Sequence, residues 1–229
     1  MNLHWKNVPL NNLDPERRVN PQFIVLSDNR RLFIDSGYAM HLINHTIVFD
    51  SYDNTWQKLP DFSGEKQRTD GRAVAVSLDT GDTVIIFGSE TVKVFPMVIG
   101  NKTVESHVGL PLLNCTIYHT SSQIWAYLSR QINAPLDKIP YEHSATFHPS
   151  SGIIYYFGGR NCDISDGAHI DTKKMIWGQN NYIASTGSQF PSNRYGLTTV
   201  LAPDSQHIIM YGGYHDSEDK KSIKNKDIS

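Results

Sequence analysis

Residues 153–160 read IIYYFGGR, five hydrophobic residues running without a break into two glycines. A strand with one wet face would alternate, so an unbroken run points to a strand covered on both faces. Its meaning depends on whether it recurs. It does, as RLFIDSGY (31–38), TVIIFGSE (83–90) and HIIMYGGY (207–214). Each is a strand-like run that stops at glycine, where the backbone can turn sharply against a crowded neighbour.

A second landmark keeps step with the first. Trp5 precedes Gly37 by 32 residues, Trp56 precedes Gly88 by 32, Trp125 precedes Gly158 by 33 and Trp177 precedes Gly212 by 35. These are all four tryptophans of the chain, so the spacing is an internal repeat and settles the architecture before any local reading does. The intervening stretches FIVLSDNRRLFIDSG, AVAVSLDTGDTVIIFGS, SATFHPSSGIIYYFGG and LTTVLAPDSQHIIMYGG each read as strand, polar turn, strand. Their turns carry Asp, Asn, Gly, Pro and Ser, which supply turn dihedrals or bond their own backbone. Ahead of the tryptophans lie further strands, TIVFDSYDNTWQKLP (46–60), CTIYHTSSQIWAYLS (115–129) and the weaker GAHIDTKKMIWGQ (167–179). The unit therefore has four short strands. Trp-to-Trp spacings of 51, 69 and 52 give the middle unit about 18 extra residues, placed in VFPMVIGNKTVESHVGL between Gly88 and Trp125.

Composition agrees with an all-β chain of 229 residues. There are 11 Tyr, nine Phe and four Trp, against few Ala- or Leu-rich runs. With 21 basic and 23 acidic side chains, the charge balance gives no electrostatic basis for a nucleic-acid or membrane partner. No stretch approaches the roughly 20 apolar residues of a membrane span. The first ten residues lack a basic segment leading into an apolar one, so the expected compartment defaults to the cytoplasm. Cys115 and Cys162 are too few for a disulfide scaffold or a cysteine-rich zinc site. The sequons at Asn44, Asn101 and Asn114 are candidate glycosylation sites that would imply a secreted ancestor.

Four-stranded sheets that cannot bury both faces alone do so when stacked radially, which is a β-propeller. The pattern resembles the Kelch repeat, whose hallmark is a hydrophobic strand ending in a glycine pair and followed at a set distance by Trp. The pair is whole at Gly158-Gly159 and Gly212-Gly213 and reduced to Ser36-Gly37 and Gly88-Ser89. Trp56 and Trp177 each follow their glycine by 19 residues, and the resemblance spans residues 3–214. It implies an all-β propeller of Kelch-like four-stranded blades, about three complete and part of a fourth. Residues 215–229, eight of them charged, read as a solvated tail. Kelch propellers carry six or seven blades, so the count favours the front part of a longer propeller. The competing arrangement is a four-bladed ring closed by LHWKNVP. Open edges would invite self-association.

Function in such a fold lies in the loops. The loops leading into each blade end at Arg18, Arg72, His143 and Arg194, and those after the glycines present Glu90, Arg160-Asn161 and Tyr214-His215. Arginine forks and aromatics around a mouth suit an acidic or polar protein or peptide segment. Arg72 and Arg194 can alternatively serve as structural donors to loop carbonyls. The expectation is a non-catalytic binding scaffold without cofactor or metal. The alternative, which the resemblance to the galactose-oxidase propeller raises, is a fragment of a secreted copper oxidase or a glycan binder. The oxidase would need a cross-linked Tyr–Cys and a His pair, and no such set can be placed. His143 and His148 lie five apart on one strand and so face opposite sides. A glycan would be met by Tyr38 and Tyr214.

Overall fold

The computed structural model describes residues 15–38, 45–62, 68–69, 71–78, 81–87, 89–99, 102–110, 115–127, 142–160 and 162–215; of 68–69, 78, 89–99 and 102–110 it describes the backbone alone. The chain is all-β, and among the described residues no helix is long and apolar enough to cross a membrane.

The first sheet is an antiparallel meander of β1 (Gln22–Val25), β2 (Arg31–Asp35), β3 (Thr46–Asp50) and β4 (Thr55–Lys58). After β5 (Arg68–Thr69), the second sheet begins with β6 (Arg72–Leu78) and β7 (Gly81–Phe87). A long hairpin, β8 (Ser89–Ile99) and β9 (Lys102–Leu110), then leaves the sheet and pairs with β5. The sheet resumes with β10 (Thr116–His119), which returns to β7, and ends at β11 (Ile124–Tyr127). The third sheet is β12 (Ser144–His148), β13 (Ile153–Phe157), β14 (Asp166–Asp171) and β15 (Ile176–Asn181); the fourth, among the described residues, is β16 (Arg194–Leu201) and β17 (Ile208–His215). Three four-stranded units and a half unit are thus present in the expected order. The extra residues of the middle unit form the β8–β9 hairpin.

Cross-strand pairs repeat from sheet to sheet. Val25, Leu32, Phe49 and Trp56 form one row across the first sheet. Ala75, Val84, Tyr118 and Trp125 form the same row across the second, and Phe147, Ile154, Ile170 and Trp177 across the third. In the second and third sheets this Trp-bearing face meets the sheet before it. Phe33 of the first sheet packs on Tyr118 and Trp125, with ring centroids 5.5 and 6.4 Å apart. Phe87 of the second packs on Tyr156 and Trp177 at 4.7 and 5.7 Å. The inner strands β1, β6, β12 and β16 lie beside one another in that order.

The unbroken hydrophobic run has its explanation in β7. Val84 and Ile86 face the first sheet, Ile85 and Phe87 the third, and none is more than 1% exposed. The expectation that every such run is covered on both faces fails at β17. There Ile209 and Tyr211 are 41% and 55% exposed because no further sheet lies over them among the described residues.

The double glycine is explained by two successive left-handed residues. The φ angles are +63° and +108° at Gly158-Gly159, +70° and +90° at Gly212-Gly213, and +52° and +96° at Ser36-Gly37. At Gly158 there is a second reason. A Cβ there would sit 2.5 Å from the carbonyl oxygen of Arg194, to which the Gly159 amide donates at 3.1 Å. The glycine pair lets the next inner strand come this close. Trp5, Gly88 and the sequon residues Asn44, Asn101 and Asn114 lie outside the described residues, as does 216–229.

Candidate functional site

A cavity of about 710 Å³ opens where the loops of all four sheets converge. The first sheet contributes Asn20, Pro21 and Phe23, the second Arg72, the third Glu142 and Arg160, and the fourth Tyr195, Gly196 and Tyr214. Each is placed by the repeat. Arg72 opens β6, Glu142 precedes β12, Arg160 follows the glycine pair after β13, and Tyr195 pairs across the sheet with Tyr214.

One wall is a ladder of alternating charge and ring. Arg160 Nη2 lies 3.1 Å from Glu142 Oε1. The same guanidinium sits 4.4 Å above the Tyr195 ring, which stacks on Tyr214 at 5.6 Å with planes 26° apart. The amide of Gly196 donates to the Glu142 carbonyl at 2.7 Å and fixes the loop that carries the carboxylate. Arg72 donates to the Gly71 carbonyl at 3.2 Å. Phe23, in β1, is 64% exposed and supplies an apolar surface. Among the described residues the lining carries two guanidiniums and one carboxylate. Its rings and forked donors are the chemistry of recognition.

Of the expected site residues, Arg72, Arg160 and Tyr214 come together here. Arg194 does not line the cavity. It is 6% exposed and donates from Nη1 to the Gly212 carbonyl at 3.3 Å and from Nε to the Ser192 carbonyl at 3.1 Å. Arg18 does the same in the first sheet, donating from Nη1 to Ser36 and His45 carbonyls at 3.1 and 3.0 Å. Both are structural donors at equivalent repeat positions. His143 is buried, its ring 5.5 Å from Tyr156, whereas His148 lies on the Tyr155 side of the same sheet, the opposite-face arrangement expected. His215 ends β17 half-buried opposite Arg194. The backbone of Glu90 runs in β8, and Asn161 lies outside the described residues.

Phe23, Glu142 and Tyr195 escaped the sequence reading. Glu142 and Tyr195 are direct neighbours of His143 and Arg194. In β16 successive residues point to opposite faces, so Tyr195 turns out where Arg194 turns in, whereas Glu142 has left-handed backbone at φ +57°.

Among the described residues, no three His, Cys, Asp or Glu side chains gather where they could hold a metal ion. Cys115 sits in the core between the second and third sheets, and burial pushes its thiol well above the ordinary value. Compared with known proteins, the chain matches no protein-family model and no curated sequence.

Proposed function

We propose that the chain is a Kelch-type β-propeller acting as a non-catalytic binding scaffold, which takes an acidic segment of a protein partner at the loop-lined mouth. The observation that carries this reading is the convergence of Arg72 and Arg160 with Phe23, Tyr195 and Tyr214 around one cavity of about 710 Å³. A guanidinium fork pairs a carboxylate through two parallel hydrogen bonds. The rings beside it give an apolar neighbour of that carboxylate a surface to cover. Glu142 already holds Arg160 in place, so the fork meets its ligand pre-oriented and loses little side-chain freedom on binding. The glycine pairs and the Trp-ended rows support the Kelch assignment.

The test is selection of a random peptide display library on the immobilised full chain, followed by titration of an enriched synthetic peptide. Enriched sequences carry Asp or Glu next to an apolar residue, and Arg160→Ala and Arg72→Ala each weaken binding by roughly tenfold or more. Enrichment without acidic residues, or binding indifferent to both substitutions, overturns the proposal.

A further inference from the structure

The two ends of the sheet stack carry complementary faces, and we infer that a second copy of this chain covers both, joining two arcs into one ring around a twofold axis. The argument is repeat equivalence and stands apart from whatever the mouth binds. At the contacts between the first and second and between the second and third sheets, the Trp-bearing face of one sheet meets the Phe33-type face of the sheet before it. The first sheet carries the same Trp-bearing face, with Val25, Leu32, Phe49 and Trp56 in register, and no described sheet precedes it. Val25 there is 51% exposed, although it occupies the place of Ala75 in the second sheet, which packs against the core.

The fourth sheet carries the other half. Val200 and Ile209 pair across it in the places of Ile24 and Phe33, yet they are 51% and 41% exposed where Phe33 is wholly buried. Thr198 and Tyr211 extend the same face. One molecule thus bears, at opposite ends of one stack, the two surfaces that already fit each other twice inside it.

A twofold axis pairs the fourth sheet of each copy with the first sheet of its partner, so both contacts form in one association. Translational and rotational freedom is lost once for two interfaces, and the second contact forms at a high effective concentration. Covering both ends also removes the exposed apolar faces, which on a lone molecule would mark an interaction site. A head-to-tail contact that did not close would instead grow into an open polymer.

The test is the molar mass of the full chain by light scattering on a sizing column, for the wild type, Val25→Glu and Ile209→Lys. Both positions are exposed, so the variants are expected to fold, as far-ultraviolet circular dichroism would check. The wild type should elute at twice the 25.9 kDa chain mass and each variant at the chain mass. An equimolar mixture of the two variants should return to twice the chain mass, because one of its two contacts is then wild type on both sides. A monomeric wild type overturns the inference, as does an open polymer. So does a dimer broken by only one of the two substitutions, which would mean like faces pairing.

Discussion

The indole Nε1 of Trp125 donates to the carbonyl of Pro60 at 2.6 Å, tying the outer strand of the second sheet to the chain leaving the first. The same ring packs against Phe33, Phe62 and Tyr118. The Trp125 ring thus fills the space between the first two sheets and fastens one to the other. Trp125→Phe keeps most of the ring contact and loses the hydrogen bond, at a cost of about 1 kcal/mol. Trp125→Ala also opens a cavity at a half-buried site and should cost about 2–3 kcal/mol, below the range for fully buried rings. Urea unfolding of both variants measures the difference.

The glycine pair offers a cleaner separation of causes. Gly158 and Gly212 occupy the same place in their sheets, with φ of +63° and +70°. A Cβ at Gly158 meets Arg194 O and Leu197 Cδ2 at 2.5 Å, whereas one at Gly212 meets nothing within 4 Å. Gly212→Ala should therefore cost only the left-handed strain, about 1–2 kcal/mol. Gly158→Ala adds a collision with backbone of the next sheet and should cost about 3 kcal/mol or more. Ser36, at φ +52° in the equivalent place, is the chain's own example of the milder case. Equal losses for the two substitutions would show that the close approach carries no weight.

The repeat was legible because it rests on residue types that have few substitutes. Two successive left-handed residues favour glycine, and a large ring with one donor is tryptophan's alone. The site was legible only in part. Arg160 and Tyr214, which follow glycine pairs, line the mouth. At the loops leading into the third and fourth sheets, the conspicuous residue does not line the cavity. His143 and Arg194 turn inward, and the less conspicuous Glu142 and Tyr195 line the cavity. Nor does sequence tell which sheet lacks a neighbour. HIIMYGGY and TVIIFGSE look alike, but among the described residues β7 lies between two sheets and β17 has one beside it.

The contact between the third and fourth sheets holds a chain of hydrogen-bonded threonine and serine hydroxyls. Thr146 Oγ1 donates to Thr199 Oγ1 at 2.7 Å, and Thr199 Oγ1 donates to Ser144 Oγ at 2.8 Å, as does the Thr199 amide at 2.9 Å. Thr199→Val leaves the Thr146 hydroxyl buried without its acceptor and should cost about 1–3 kcal/mol. Replacing Thr146 by Val as well removes the stranded donor, so the double variant should lose less than the sum of the singles. Chemical denaturation of the four proteins tests the coupling. Strict additivity would show that the hydroxyls act independently.

The turn between β16 and β17 predicts an acid-sensitive contribution with a defined window. Asp204 Oδ1 accepts the amides of Gln206 and His207 at 2.9 and 3.1 Å. The bond from the Gln206 amide, then those from the side chain and amide of His207, lower its pKa from the ordinary 3.8 to about 2. Asp28 holds the equivalent turn of the first sheet. There partial burial pushes the pKa up, but the bonds from the Arg31 and Arg30 amides outweigh it and leave the value lowered. A carboxyl whose folded-state pKa is depressed stabilises the fold fully above its unfolded value and loses that contribution as pH falls toward the folded value. The difference in melting temperature between wild type and Asp204→Ala should therefore be constant above about pH 4–5 and narrow progressively toward pH 2. Asp204→Asn retains an acceptor for the two amides but cannot ionise, so its own stability should lack this step. A gap between wild type and Asp204→Ala that stays constant down to pH 2 would mean that the charge on Asp204 contributes nothing and that the turn is held by backbone geometry alone.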